Sequence, residues 1–245
     1  MDYEAIFDYY KDEGIIGEAE MLLKTGKEAV VYRCSPGPKA ASAAVAVKIY
    51  KEIEYRSFRN MTDYLDGRIG TMFRKRRDIL HMYADPAAMQ ASWVWVEYEA
   101  LKNLHAKALP VPQPYGSTGN SLAMQFIGDA DEGGAPRLRE VRLSADESRP
   151  LFEQLKLAIR DMLACDSIHG DLSPYNILYD EGKAVIIDLP QLVDARYHSQ
   201  ALPLLERDCV NVFHYFERHG FGDEYDAKAF ANSLWEDYVI NRLYA

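Results

Sequence analysis

Residues 169–190, HGDLSPYNILYDEGKAVIIDLP, constrain this chain more than any other stretch. A polar loop over 168–176 runs into two short strands, NILY and AVIID. This places Asp171 and Asn176 five positions apart on one loop, with Asp188 at the end of a hydrophobic strand. A polar turn with an Asx motif also fits between two strands. Such a turn, however, does not require His-Gly-Asp, an Asn five residues on and an Asp at a strand end together. The flanking sequence reads as helical at 146–164, about 200–218 and 227–243.

The first half reads differently. GIIGEAEMLL (14–23) is a turn leading into a first strand, and KTGKEAVVYRC (24–34) is a glycine-containing turn followed by β-branched and aromatic residues. AVAVKIY (44–50) is the second strand of a hairpin. Residues 51–90 are rich in charge and methionine and read as helical or mobile. From Pro86, apolar Trp93, Val96, Ala100, Leu101 and Leu104 recur at three- and four-residue spacing, predicting an amphipathic helix that VPQP (111–114) stops. A strand, SLAMQFIG (121–128), leads to DADEGGAPR (129–137), the most linker-like stretch. The expectation is an α+β, bilobal chain: a β-rich N-lobe over 1–128 and a mostly α-helical C-lobe over 129–245.

With 245 residues, 48% hydrophobic and 27% charged, the chain is long enough for a sizeable core and unlike a disordered one. Its 28 basic and 38 acidic residues give a net charge of −10, so a global basic footprint for nucleic acid is absent. The cluster Arg74, Lys75, Arg76 and Arg77 is either a solvated charge run or a contact for an anionic partner such as RNA or a ribosome. Cys34, Cys165 and Cys209 form no CxxC pair and read as reduced thiols. The acidic, aromatic start is unlike a secretory leader, and no apolar run approaches membrane-spanning length. The sequence therefore predicts a cytoplasmic protein with no membrane partner.

Asp171, Asn176 and Asp188 are the set that phosphoryl transfer asks for. One carboxylate orients the attacking hydroxyl and accepts its proton, while an amide and a second carboxylate hold Mg²⁺, a hard cation that prefers oxygen ligands. Lys48 would supply the complementary charge. An inward-facing lysine on a strand needs an ionic partner or a phosphate, whereas a lysine on an edge strand would lie in water. Glu97 is the natural partner, because Leu101 and Leu104 share its helical face while Glu99 points elsewhere. Thr25 and the backbone N–H groups near Gly26 would cap phosphates. A lone Thr-Gly-Lys is also an ordinary turn, and the GxxxxGK[ST] loop is absent. His169 reads as a structural hydrogen-bonding residue packed beneath the loop, and Asp208 as a brace for the loop backbone from a helix below.

These stretches resemble the RIO family of atypical serine/threonine protein kinases, nearest its RIO1 branch. The similarity runs through TGKEAVVY (25–32), AVKIYK (46–51), EYEALKNL with VPQP (97–114), MQFIG (124–128), HGDLSPYNIL (169–178), IIDLPQ (186–191) and RDCVNVFHYF (207–216). It implies a kinase-like fold binding ATP with Mg²⁺, Mn²⁺ being the alternative ion. It also implies Lys48 on the α- and β-phosphates, Glu97 as its partner, Asp171 as the catalytic aspartate, and Asn176 and Asp188 as metal ligands. Met124 would guard the back of the adenine pocket, with Gln125–Ile127 as the hinge that reads adenine. The family lacks the activation loop and peptide-docking segments of ordinary kinases, and here Leu189-Pro190 follows Asp188 where those kinases carry Phe-Gly. In the family the metal aspartate is also proposed to accept phosphate, which here would be Asp188. Two features depart from the pattern: Lys24 stands where the family usually has Ser, and the short N-terminal extension does not fit the winged-helix module of the RIO2 branch.

Three functions follow as expectations. The first is an ATP-dependent kinase acting on serine, threonine or itself. The second is an ATPase switch in the assembly of a ribosomal or other complex. The third is a small-molecule phosphotransferase, against which Ser173, Tyr175 and the TGKEA loop argue.

Overall fold

The computed structural model of the chain describes residues 2–51, 85–129, 133–219 and 225–243. The described residues fall into two compact units: 2–51, 85–106, 112–129 and 133–134 form the first, and 107–111, 135–219 and 225–243 the second. Residues 52–84, including the Arg74–Arg77 cluster and most of the charge- and methionine-rich stretch, lie outside the described residues.

In the first unit, α1 (Tyr3–Asp12) starts where the Asp2 carboxylate accepts from the Ala5 N–H at 3.2 Å. The acidic, aromatic start that argued against a leader thus forms a helix, which buries Ile6 and Tyr10. Strands β1 (Ile16–Thr25), β2 (Ala29–Pro36) and β3 (Val45–Tyr50) follow, then helix α2 (Pro86–Ala106) and strands β4 (Pro114–Ser117) and β5 (Ser121–Gln125). All five strands pair antiparallel in the order β1-β2-β3-β5-β4.

Strand β3 is buried at all six positions, because β2 and β5 flank it and both of its faces are covered. Val45, Val47 and Ile49 pack with Ile6, Tyr10 and Ile15, while Ala46 packs with Ala44 and Phe126. Period-2 alternation therefore sorts β3 between two apolar environments, not between core and water.

Helix α2 buries Gln90, Val94, Glu97, Leu101 and Leu104, a line spaced four, three, four and three. This line lies one residue away from the predicted Trp93, Val96 and Ala100, which are half-buried. Two short strands, β6 (Gly128–Asp129) and β7 (Gly133–Gly134), make a small hairpin across the position where the sequence suggested a lobe boundary. The first compact unit runs on to Gly134.

The second unit begins its regular structure with a 3₁₀ turn at Leu138–Glu140, followed by helix α3 (Ala145–Ala164). A capping box starts α3: Ser144 Oγ accepts from the Glu147 N–H, and the Glu147 carboxylate accepts from the Ser144 N–H at 2.9 Å. Strands β8 (Ser167–Ile168), β9 (Ile177–Asp180), β10 (Lys183–Ile186) and β11 (Val193–Asp194) follow, with β9 pairing β10 and β8 pairing β11. Helices α4 (Ala201–Glu217) and α5 (Ala227–Leu243) complete the unit. Its core is aromatic: the Phe152 ring of α3 lies 4.7 Å from Phe213 and 4.9 Å from Phe216 of α4. The three cysteines are unbridged.

Candidate active site

Two sets of predicted residues can be followed separately, one in each unit. In the first, the register of β3 pairs Lys48 with Val31 on one side and Leu122 on the other, so Lys48 stands on a central strand and the edge-strand reading does not apply. Lys48 is 8% exposed and Glu97 2%. Lys48 Nζ donates to Glu97 Oε1 at 3.0 Å and lies 4.8 Å from the centre of the Tyr50 ring. Burying both charges is tolerable because each meets the other. Near the start of α2, Gln90 Nε2 donates to the Lys51 carbonyl at 3.1 Å, which ties the end of β3 to the helix that carries Glu97.

The turn between β1 and β2 closes on itself, with the Gly26 N–H donating to the Ala29 carbonyl at 2.8 Å. Lys51 Nζ donates to the Gly26 carbonyl at 2.7 Å. Thr25 pairs with Val30 at the end of β1 and is exposed. In β5, Met124 is half-buried against Ala44, Ala46 and Phe126. Of the predicted hinge, the Gln125 N–H already donates to Gln113 at 2.7 Å and the Phe126 N–H to Ala44 at 3.1 Å. These two N–H groups are engaged within the unit, a point that sequence alone does not reveal.

In the second unit, the Asp171 carboxylate is exposed while most of its loop is anchored. Asn176 Nδ2 donates to the Asp171 carbonyl at 2.9 Å and to Asp171 Oδ2 at 3.3 Å. With its nitrogen committed in this way, the Asn176 amide offers Oδ1 as its remaining acceptor. The Ile187 N–H donates to the Asn176 carbonyl at 2.9 Å, which brings the residue before Asp188 beside Asn176. Asp188 itself has φ +67°, a left-handed conformation that Asp adopts more readily than most residues and that recurs at functional turns.

His169 fixes the other side. Its Nε2–H donates to the Ile187 carbonyl at 3.1 Å, and its Nδ1 accepts from the Asp171 N–H at 3.3 Å. Burial holds its pKa below the usual histidine value, and the neutral ring satisfies both contacts.

Helix α4 holds the loop from another direction. Asp208 accepts from the Gly170 N–H through Oδ2 and from the Leu172 N–H through Oδ1, both at 2.8 Å. Asn211 Nδ2 donates to the Leu172 carbonyl at 3.0 Å, and Arg207 donates to the Gly170 carbonyl. Burial pushes the Asp208 carboxyl up to about 7, while its two N–H donors and Arg207 favour the anion. Gly170 has φ +78°, and a Cβ there would come within 2.6 Å of the Gln191 carbonyl, so this close approach requires glycine.

The sequence reading pointed to Asp208 but missed Arg207 and Asn211. The signal was present as three polar residues at 207, 208 and 211 in RDCVNV, spaced to lie on one face of a helix that is otherwise apolar there.

Among the described residues, no three His, Cys, Asp or Glu side chains gather as a metal cluster. The donors present are instead an amide oxygen and a carboxylate on adjoining backbone. Such a pair suits Mg²⁺, which is commonly held by one or two protein oxygens and completes its shell with water and phosphate oxygens. No helix among the described residues is long and apolar enough to cross a membrane.

Comparison with known proteins identifies the family. A family model described as the RIO domain matches residues 30–230. The RIO-type serine/threonine-protein kinase Rio1 of Haloferax volcanii is 35% identical over 234 residues, covering 96% of this chain and 73% of that protein. Rio1 of Thermoplasma acidophilum is 35% identical over 199 residues, covering 80% of this chain and 95% of that one. Human serine/threonine-protein kinase RIO1 is 36% identical over 207 residues, but the match spans only 34% of its length. The crystal structure of the Chaetomium thermophilum Rio2 kinase–ADP/Mg²⁺–phosphoaspartate complex aligns with a TM-score of 0.63 at 20% identity, covering 94% of this chain and 67% of that one. That likeness shows a shared kinase-like α+β fold. Matched across most of its length by the family and by RIO1 kinases of archaea, this chain belongs to the RIO family of atypical serine/threonine kinases, in its RIO1 branch.

Proposed function

We propose that this chain is an ATP-dependent phosphotransferase that moves the γ-phosphoryl group of ATP to a serine or threonine hydroxyl, its own included. The observation that carries this reading is the Asp171–Asn176 pair. An exposed carboxylate is held in place by an amide that bonds both its main chain and its side chain.

In this reading Asp171 orients the acceptor hydroxyl and takes its proton as the bond to phosphorus forms. The β–γ bridging oxygen leaves with ADP. Asn176 Oδ1 and the Asp188 carboxylate hold Mg²⁺, which neutralises charge on the phosphates. Lys48, aimed by Glu97, binds the α- and β-phosphates, and backbone N–H groups around Thr25 and Gly26 cap the phosphate end. Met124 backs the adenine. Because the Gln125 and Phe126 N–H groups are engaged, the hinge reads adenine through the Ile127 N–H and the Gln125 carbonyl. Mn²⁺ would substitute for Mg²⁺, since both accept oxygen ligands. The setting proposed is cytoplasmic, with a protein substrate or a ribosome-associated complex as partner.

The test is incubation of the purified chain with Mg²⁺ and γ-labelled ATP, following free phosphate and label on protein. Acid-stable label that disappears in Asp171→Ala is the expected result. Hydroxylamine-labile label that disappears in Asp188→Ala, with phosphate release and no acid-stable label, would replace the kinase reading with an ATPase switch.

A further inference from the structure

The segment before α3 carries arginines at 137, 139 and 142 and runs alongside the catalytic loop within the second unit. The Arg139 N–H donates to the Pro174 carbonyl at 3.1 Å, the Tyr179 N–H donates to the Pro136 carbonyl at 2.9 Å, and Arg137 bridges to Leu178. The Tyr215 hydroxyl on α4 donates to the Val141 carbonyl at 3.1 Å. The segment is therefore fixed to the same backbone that holds Asp171 and Asn176.

Its side chains are not neutralised. Glu140, the acid within the segment, accepts from the Arg137 main-chain N–H at 3.2 Å. Among the described residues, none of the three arginines forms an ion pair with a carboxylate, in a chain of net charge −10 where Lys11, Arg33, Lys156 and Arg196 do. The Arg139 guanidinium instead lies 4.3 Å from the centre of the Tyr175 ring. Tyr175 is 46% exposed and occupies the position between Pro174 and Asn176, four residues after Asp171. An arginine lying over an exposed aromatic ring keeps its guanidinium close to that ring while leaving its N–H donors open. A carboxylate is the partner that such a fork matches.

We infer that Arg139, positioned by Tyr175, is an acceptor-recognition residue that selects serine or threonine sites flanked by acidic side chains, with Arg137 and Arg142 adding to the local positive field. This rests on the kinase reading above and names the substrate class of that site. A protein acceptor is favoured over RNA because the chain as a whole is strongly acidic. Its net charge of −10 disfavours a long polyanion, whereas a short acidic flank needs only the local arginines.

The experiment uses the intact chain and matched serine peptides whose flanks are acidic, neutral or basic. Phosphorylation is followed by label transfer, and binding by fluorescence anisotropy of a labelled acidic peptide. The wild-type chain should prefer the acidic peptide. Arg139→Ala should raise KM and Kd for it about five-fold, and Arg139→Glu about ten-fold or more, with kcat little changed. Arg139→Lys should recover part of the loss, and the neutral peptide should be insensitive. Peptide-independent ATP turnover, measured in the same samples, separates the two claims. Turnover with no acidic preference, or with a preference that survives Arg139→Glu, overturns the acceptor assignment and leaves the phosphotransferase reading standing. Tight binding of single-stranded RNA that is lost in Arg139→Glu, without an effect on peptides, overturns it in favour of nucleic acid. No turnover and no anisotropy change with the acidic peptide overturns both.

Discussion

The two units hold their functional residues in opposite ways. In the first, Lys48 on an otherwise apolar strand is held through its side chain, by a buried ion pair with Glu97 of α2. In the second, Asp171 has an exposed carboxylate that only the Asn176 amide reaches, at one oxygen, while the peptide groups around it are clamped by Asp208, Asn211, Arg207 and His169. Under the proposed function, the difference follows from what each residue would do. A residue that binds a phosphate already present can be fixed by a counter-charge. A base that is to accept a proton needs one oxygen open, so most of its positioning comes from the backbone, with the Asn176 amide holding the other oxygen.

The sharpest way to break this comparison is to remove each anchor. Glu97→Ala leaves a buried ammonium without its carboxylate and should cost about 3 kcal/mol of stability, with weaker ATP binding. Urea unfolding and nucleotide titration would show it, and a change under about 0.5 kcal/mol would mean that the ion pair does not anchor Lys48. Asp208→Ala strips two buried N–H groups of their acceptor and should cost about 2 kcal/mol. Hydrogen exchange at Gly170 and Leu172 should speed up, while the amides of β3 stay protected.

A smaller effect is expected at Gly170. Gly170→Ala forces a Cβ toward the Gln191 carbonyl in a left-handed conformation, costing about 1–2 kcal/mol. It should lower transfer more than ATP affinity, as read by kcat against the ATP Kd.

The smallest effect is a pH dependence. His169 has a lowered pKa in the folded chain, so its contribution is present above its ordinary value of about 6.5 and fades as pH falls below that. Protonation would set an Nδ1–H against the Asp171 N–H. The stability difference between the wild-type chain and His169→Gln should narrow as pH falls from 7.5 to 5. Asp208 has the opposite sign: its raised pKa contributes stability at low pH that is lost as pH rises through about 7. A wild-type-minus-His169→Gln difference that stays flat with pH would show that the histidine is not the neutral clamp.

Much of this was legible in the residues. The loop 168–176, the strand pair after it and helices α3, α4 and α5 follow from turn residues and periodicity. Lys48 and Glu97 could be paired because Glu97 shares a helical face with Leu101 and Leu104. What sequence could not supply were features that depend on distant backbone. Helix α1 hid in an acidic start whose apolar residues make sense only against the distant sheet, where Ile6 and Tyr10 pack with Val45, Val47 and Ile49. Strand β4 was masked by the prolines that end the preceding segment. In α2 the sequence reading placed Glu97, Leu101 and Leu104 on the buried face, but it took Trp93, Val96 and Ala100 in place of Val94 and the polar Gln90, a buried position that a hydrophobicity pattern leaves out. The stacking of Arg139 on Tyr175 joins residues 36 positions apart, and no local pattern announces it.

The measurement that tests the central claim most directly is single-turnover transfer from γ-labelled ATP, run beside ATP binding, for the wild-type chain, Lys48→Met and Asp171→Asn. If the units divide the work as argued, Asp171→Asn loses transfer by about a thousand-fold or more while its ATP Kd stays within about three-fold. Lys48→Met should instead weaken ATP binding. Transfer by Asp171→Asn at more than a tenth of the wild-type rate would contradict the account.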